Sequence, residues 1–440
     1  MRNRFNERMM KNLFQEILAS LARATIKKYN PMVIAVTGSV GKTSARMAIF
    51  DVTSKWYRTR MGEGNDNGAM SVALTILGIE HCGKNPVAWI FSLIKILFNL
   101  YIAGEDYPKV LALEYGIRGS GDMDSLLSIA RPDIAVVTAI GEAPNHLEFF
   151  KDAEEFTAEK AKLVQVLSTD GYAVLNHDDY DVYDMKEKTK AHVLTYGFED
   201  QADVHILNYE LRITKDEKSG DIPDGISFKI QHGGSMVPVR LHHVFGTPSC
   251  LSAAAAVAVG LVLNRNLVEI AEVLSGYEPP PGRLRLLKGI KQSFILDDTY
   301  DAGPESMRIA LDTLQALPGK RRIAILGDMG EIGKYTEQAH RSVGDKVSEF
   351  ADLLIIVGAR AKFIADEAMN HGLEKHARTL THDQVMSFDD PVSAGHALDP
   401  LIQEGDLILV KGSKEMSMEK AVFEIMAQPL LAENLLVRQK

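Results

Sequence analysis

The chain has 440 residues, of which 46% are hydrophobic and 25% charged, and its formal net charge is −10. That length suits two or three domains, each able to bury a sizeable core, and the acidic balance gives no support to a general nucleic-acid role. The two cysteines, Cys82 and Cys250, lie far apart with no partner at metal-binding spacing, which suits a reducing compartment and excludes a disulfide framework.

Leu13, Phe14, Ile17, Leu18 and Leu21 recur at helical spacing, so the first segment reads as an amphipathic helix. Charges interrupt its apolar positions, and no secretory signal is evident. Arg2, Arg4, Arg8, Lys11, Arg23, Lys27 and Lys28 outnumber Glu7 and Glu16. The helix either docks on the next domain or lies on a membrane surface. From Pro31 the pattern changes: VIAVTGS reads as a buried strand entering a Gly-rich loop, with a helix from Thr43. The stretch Ala88 to Ala103 is apolar but shorter than the roughly 20 residues of a membrane span. Its Ser92, Lys95 and Asn99 fall on one side, and Trp89 to Tyr101 otherwise cover a buried or interfacial helix.

Further buried strands follow at Val110, Ile134 and Tyr172, with helices such as Phe156 to Leu167 between them. This alternation predicts a mostly parallel sheet covered by helices. Residues 203–245 alternate apolar and polar side chains between polar turns, an antiparallel excursion, and an Ala-rich helix, Leu251 to Leu263, comes next. EPPPGR, Glu278 to Arg283, marks a boundary, since three prolines cannot continue a helix. FILDD, RIAILGD, LLIIVG and LILVKG then begin a second α/β pattern.

The strongest chemical signal is Gly38-Ser39-Val40-Gly41-Lys42-Thr43-Ser44. Glycines turn backbone N–H groups toward phosphate oxygens, the following helix adds its positive end, the lysine supplies a point charge, and the threonine hydroxyl can hold Mg²⁺. The usual first glycine of such loops is Val36 here, so this is a shorter variant. A chance Gly-rich turn is the plain alternative, opposed by the strand before and the helix after. Glu114 closes VLALE where a magnesium–nucleotide site needs a carboxylate, though it could equally be a solvated strand end. His146 and Lys160, taken singly, read as ordinary residues.

Together TGSVGKTS, LEYG, TAIG…HLEFF, AEKAKL, DDTYDAGP, AILGDMGEIG and VKGSKEMSME resemble the Mur ligases of bacterial cell-wall synthesis. The last two motifs are most similar to the branch that adds D-alanyl-D-alanine. The resemblance runs over roughly residues 32–430 in the expected order. It implies an α/β fold in three parts: an amphipathic N-terminal helix (1–32), a central P-loop parallel-sheet ATPase domain (33–281) and a Rossmann-like α/β C-terminal domain (282–440). It implies a cytoplasmic, monomeric, ATP-dependent and ADP-forming ligase, with Mg²⁺ as cofactor and a UDP-muramyl peptide and D-Ala-D-Ala as substrates. Peripheral membrane contact through Leu13–Leu21 or Trp89–Tyr101 is a further expectation.

By position, the resemblance puts Lys42 and Thr43 on the ATP phosphates and a first Mg²⁺, with Glu114 as metal ligand. Lys160 matches a lysine that the family carbamylates; Lys162 is the nearby competitor, but the spacing to the following Leu163 favours Lys160. His146 matches a histidine near a second metal. Arg283 would reach the γ-phosphate, Asp298 the ribose, and Tyr300 the nucleotide. Asp328, Glu331, Lys411, Gly412 and Ser413 would face the incoming amine. There are departures from the pattern. Ala139 stands where the family has asparagine, and Ser252 where an asparagine reads adenine; Asp301 and Gly303 replace two further asparagines. About 32 residues precede the first strand, too few for an independent sugar-nucleotide domain. Competing readings are a Mur-type ligase with a folate or polyamino-acid acceptor, a P-loop NTPase that remodels partners, and a non-catalytic binding subunit.

Overall fold

The computed structural model describes residues 2–62, 67–83, 85–102, 106–141, 149–216, 220–370 and 378–437. A long helix α1 (Arg2–Tyr29) leads into β1 (Met32–Thr37), α2 (Lys42–Ser54), β2 (Thr59–Met61), α3 (Ala69–Leu77), α4 (Pro86–Tyr101) and β3 (Val110–Glu114). Then come α5 (Asp122–Ile129), β4 (Ile134–Val137), α6 (Ala153–Gln165), β5 (Tyr172–Asn176), the short α7 (Tyr180–Tyr183) and β6 (His192–Gly197). Strands β7 (Val204–Asp216), β8 (Gly220–His232) and β9 (Ser235–His242) precede helices α8 (Thr247–Val262) and α9 (Leu267–Leu274).

Among the described residues these strands form one sheet in the order β2-β3-β1-β4-β5-β6-β7-β8-β9. The members from β2 to β6 pair in parallel, and β7, β8 and β9 pair antiparallel. Strands β1, β3, β4 and β5 are buried almost throughout, the reason each sequence is a nearly continuous apolar run. In β9, Val237, Val239 and Leu241 alternate with more exposed residues, since one face of the strand is solvated. The antiparallel excursion expected from the sequence therefore extends the parallel sheet instead of standing apart from it.

Helices α2, α8 and α9 cover one face of this sheet, and α1, α3, α5 and α6 the other. The small residues of α8 allow close approach: a Cβ on Gly260 would meet Ile270 Cδ1 at 2.6 Å and Val52 at 3.2 Å. The Ala-rich helix begins at Thr247, four residues before the sequence expectation, because Pro248 is tolerated in a first turn that lacks N–H acceptors anyway. Helix α6 likewise begins early, where the Asp152 side chain accepts the Glu155 N–H at 2.9 Å.

The remainder forms a second sheet from β10 (Arg285–Lys288), β11 (Phe294–Asp298), β12 (Arg321–Gly327), β13 (Leu353–Val357), β14 (Val385–Phe388) and β15 (Asp406–Lys411). Helices α10 (Pro304–Ala316), α11 (Thr336–Ser348), α12 (Lys362–Asn370), α13 (Pro391–Leu398) and α14 (Glu419–Ile425) pack around it. The order is β10-β11-β15-β12-β13-β14, parallel except for β10. The fold class is the one expected: a large, mainly parallel α/β sheet followed by a second α/β sheet. In the first sheet β1 lies between β3 and β4, so the chain leaves it toward opposite sides. The crevice beyond its carboxyl end is where such sheets bind ligands.

Candidate active site

The Gly-rich loop occupies that crevice. Gly38 adopts φ 141° and Gly41 φ 84°. A Cβ on Gly38 would lie 2.0 Å from Thr138 Oγ1, so no larger residue fits. The loop is held by backbone: Ser39 N and Val40 N donate to Ala139 O at 2.6 and 3.2 Å. Residue 139 thus acts here through its carbonyl, which alanine supplies as well as asparagine does. Helix α2 starts at Lys42, whose Nζ donates to Ser39 O at 3.1 Å. Enclosure lowers the Lys42 pKa; Glu114 opposes this shift, and the Arg283 charge adds to it.

Parallel pairing sets Val36 beside Glu114, bringing the strand-end carboxylate next to the loop. Thr43 Oγ1 donates to Glu114 Oε2 at 3.0 Å, and Asn67 Nδ2 to Glu114 Oε1 at 3.0 Å. Arg46 Nε lies 3.8 Å from Glu114 Oε2. Asn67 and Arg46 carry no motif signal in the sequence, because only the fold brings them to this carboxylate. Lys160 comes from α6, across the sheet, and its Nζ donates to Gly38 O at 2.8 Å. It is 2% exposed. Burial, and then the nearby Lys42 charge, push its pKa well down, with Glu114 opposing. Lys162 has the opposite surroundings. It pairs with Asp124 at 2.6 Å and Glu159 at 2.7 Å, and these hydrogen bonds raise its pKa. Geometry therefore gives the two lysines opposite surroundings. Glu159 itself accepts Gly121 N and Met123 N, at the start of α5. His146 lies outside the described residues.

A cavity of about 460 Å³ adjoins the loop. Val40, Gly41, Thr138, Ala139, Asn176, Asp178 and Ser252 line it from the first sheet's domain, and Glu305, Arg308 and Ile309 from α10. Ser252 Oγ donates to Pro248 O at 2.8 Å, so its hydrogen is engaged, and a Cβ on Gly41 would lie 3.8 Å from that oxygen. The TAIG turn that lines the cavity is held by Asp179, whose Oδ2 accepts Ile140 N and Gly141 N at 2.7 and 2.9 Å. Sequence reasoning missed Asn176, Asp178, Asp179 and Arg308; the NHDD run after a buried strand was the available signal.

Arg283, Asp298 and Tyr300 lie outside that lining. The Arg283 guanidinium stacks over the Tyr300 ring at 3.8 Å, and burial raises the Tyr300 pKa to about 12 against the pull of Arg283. Asp298 Oδ1 accepts Leu284 N at 3.1 Å, and Oδ2 pairs with Lys411 Nζ at 2.6 Å. Lys411 also donates to Asp301 O at 2.7 Å and is 1% exposed. In this arrangement Asp298 and Lys411 form a buried pair that joins the DDTYD turn to β15, with neither turned to open space. Replacing Lys411 by methionine is expected to cost about 3–5 kcal/mol by leaving a buried carboxylate unpaired. Urea unfolding measures this, and a loss below about 1 kcal/mol, within the range of ordinary surface changes, would remove the pair's structural role.

The remaining C-terminal motifs meet beyond β12 and β15. Ser413 N donates to Asp328 O at 2.9 Å, and Asp328 Oδ1 accepts Arg360 N and Ala361 N. Glu331 has φ 55°, and Gly412 lies against Gly327. His340, unremarked in the sequence, fixes the GDMGEIG loop. Its Nε2 accepts Met329 N at 3.0 Å, and Nδ1–H donates to Thr336 O at 2.6 Å. Burial lowers its pKa, in keeping with the neutral ring this pattern requires.

The site is built to take an anion. Among the described residues the buried Ser39 Oγ and Arg283 Nε have no hydrogen-bond partner, and both flank the loop. Its oxygen donors, Thr43 and Glu114, also suit Mg²⁺, which takes one or two carboxylates, waters and phosphate oxygens. No group of three His, Cys, Asp or Glu side chains that could hold a metal converges among the described residues.

A phosphate loop at a sheet switch point, a buried strand-end carboxylate and a second α/β sheet closing on the same crevice define an ATP-binding ligase type of architecture. Comparison with known proteins agrees. Residues 36–237 match the Mur ligase middle domain, and residues 282–414 the Mur ligase, glutamate ligase domain. The chain belongs to the Mur ligase family. It is 27% identical over 418 residues to the UDP-N-acetylmuramoyl-tripeptide–D-alanyl-D-alanine ligase of Bacillus subtilis, covering 94% of this chain and 80% of that one. The enzyme of the same name from Synechocystis is 28% identical, with 91% and 76% covered. Among solved structures, MurF from Acinetobacter baumannii superposes with TM-score 0.74 at 24% identity, covering 93% of this chain and 79% of that chain. MurF ligase from Thermotoga maritima in complex with ADP gives 0.73 at 22%, covering 95% and 84%.

Proposed function

We propose that this chain is an ATP-dependent, ADP-forming ligase that joins D-Ala-D-Ala to the terminal carboxylate of a UDP-MurNAc-tripeptide. The observation that carries the reading is the convergence of Lys42, Thr43, Glu114 and Lys160 on one loop, in a family whose D-alanyl-D-alanine-adding members resemble the chain over nine-tenths of its length. The proposal includes a cytoplasmic monomer in peripheral contact with a membrane. It divides the chain at 32/33 and 281/282, the second boundary supported by the start of the second family match at residue 282.

A carboxylate is a poor electrophile because its oxygen leaves badly. In the proposed reaction a carboxylate oxygen attacks the γ-phosphorus of ATP, the β–γ bridging P–O bond breaks, and ADP departs. The dipeptide amine then attacks the acyl carbon, losing a proton to solvent, and the C–O bond to phosphate breaks. The loop N–H groups, Lys42 and Arg283 bind the phosphates and offset charge on the transferring group. Thr43 and Glu114 would hold Mg²⁺, which when bound neutralises phosphate charge. Lys160 is proposed to be carbamylated. Its neutral amine nitrogen bonds to the carbon of CO₂ and releases a proton to solvent, leaving an anionic oxygen donor beside Glu114. Ser252, Asn176 and Asp178 are proposed to face the base and Tyr300 the nucleotide. Asp298 is placed near the ribose only if its pair with Lys411 opens. His146 remains the proposed partner of a second metal. Asp328, Glu331, Gly412 and Ser413 are proposed to lie toward the amine.

The test is ADP release with UDP-MurNAc-tripeptide, with and without D-Ala-D-Ala, and product identification by mass. A dipeptide-dependent product is expected. Turnover stimulated by glutamate and not by the dipeptide would replace this reading with a folate-type or polyamino-acid ligase. Unstimulated hydrolysis would favour an NTPase, and silence a binding subunit.

A further inference from the structure

The fold leaves one face of α4 uncovered, and that face is apolar across its width. Trp89, Leu93, Ile96 and Leu100 turn inward onto the core beneath α1 and α3. Val87, Ile90, Phe91, Ile94, Phe98 and Tyr101 turn outward, with Phe91 68% and Tyr101 75% exposed. At helical spacing these outward positions span an arc of roughly 100°. Single exposed apolar residues are ordinary on a protein surface, but a contiguous row marks a contact. The expected alternative, Leu13–Leu21, is mostly committed: Leu18 and Ala19 are buried in the core, and Phe14 packs edge-on to Trp89 at 4.8 Å.

The chemistry of the partner follows from length and charge. Helix α4 has 16 residues, about 24 Å of helix, shorter than the roughly 30 Å hydrocarbon core of a bilayer. No helix among the described residues is long and apolar enough to cross a membrane. The neighbouring α1 runs alongside, with Lys28 Nζ donating to Leu100 O at 2.7 Å. Among its described side chains α1 carries Arg23, Lys27 and Lys28 against Glu16, in a chain of net charge −10. Lys95 adds a further exposed cation on α4 itself. Exposed Lys27, Lys28 and Lys95 beside an aromatic and aliphatic face suit an anionic surface and disfavour a second copy, which would oppose like charges.

We propose that the outer face of α4 docks flat on an anionic lipid bilayer, with α1 beside it supplying the electrostatic attraction. This rests on the cytoplasmic placement proposed above and not on the ligase chemistry. The α4 face lies on the helical layer over one sheet face, whereas the nucleotide crevice opens beyond the strand ends, so docking leaves the crevice accessible.

Co-sedimentation of the full chain with phosphatidylcholine vesicles, with and without phosphatidylglycerol, tests this. Wild type is expected to pellet with the phosphatidylglycerol vesicles and to be released by salt. The Ile94→Gln/Phe98→Gln variant is expected to bind at least about tenfold more weakly, and Leu13→Gln/Ile17→Gln, which leaves the charge of α1 unchanged, to bind nearly as wild type. Both pairs are exposed, so thermal melting should be unchanged. Absence of pelleting by wild type, or equal pelleting by the α4 variant, overturns the proposal. Self-association in sedimentation velocity that the α4 variant abolishes, without lipid binding, would assign the face to a second copy instead. ADP release in lipid-free buffer is read separately, so failure of the ligase reading leaves the lipid result interpretable.

Discussion

Lys42→Ala is expected to lower kcat/KM for ADP formation by about 10³-fold or more, equivalent to roughly 4 kcal/mol of transition-state stabilisation. The loop itself should persist, because Gly38 and the Ala139 carbonyl hold it through backbone contacts. The loss has two parts. Lys42 is the charge nearest the transferring phosphoryl group in the proposed reaction. It is also one of the two causes that keep the Lys160 pKa low. Without it Lys160 should bind a proton more readily and react with CO₂ less. Mass analysis of Lys160 in the variant separates the two parts. An unmodified Lys160 in Lys42→Ala beside a modified one in wild type would show the coupling. Near-normal ADP release by Lys42→Ala would overturn the assignment of the site.

The second large effect concerns Lys160. Its amine is enclosed, donates to Gly38 O, and is held well below the ordinary lysine pKa by burial and then by Lys42. The neutral fraction of an amine rises with pH through its pKa. A lowered pKa thus makes the reactive form available at a less alkaline pH than a surface lysine requires. Wild-type activity is expected to fall when CO₂ is depleted and to return with bicarbonate. Because the reactive form is lost as pH falls, more bicarbonate should be needed at lower pH. Lys160→Ala should lose about 10²-fold or more in kcat, the scale for removing a group that orients a metal site, and bicarbonate should not restore it. Lys162→Ala should keep most activity, since that lysine is tied to Asp124 and Glu159 at the surface. Activity independent of CO₂, together with an unmodified lysine by mass, would overturn carbamylation.

Much of this site was legible from local pattern. The loop glycines, Lys42 and Thr43 lie within one short segment, where chemistry and chain order coincide. Glu114 was legible because a strand end announces itself as the close of an apolar run. Lys160 needed the family resemblance, whose spacing to Leu163 favours it over Lys162 on the same helix. Asn67, Arg46 and His340 were illegible for a different reason. Each acts by satisfying a polar group from a distant segment, and side-chain type alone does not say which carboxylate or amide it will meet.

The exposed face of α4 shows the same limit from the other side. Its sequence declared an apolar helix too short to span a membrane, and left burial or an interface open. Packing divided the helix lengthwise, and which half stayed outside depended on where α1 and α3 already lay.

By itself the sequence determined the strand–helix alternation, the switch to a second α/β sheet after the prolines, and a loop able to bind phosphate. These follow from the periods of apolar residues and from glycines at positions that exclude a side chain. Only the tertiary structure decided that Lys160 is enclosed and Lys162 solvated, that Asp298 is paired with Lys411, and that one face of α4 is left bare. Desolvation, charge pairing and exposure are properties of the space between segments, and that space exists only once the sheets have formed.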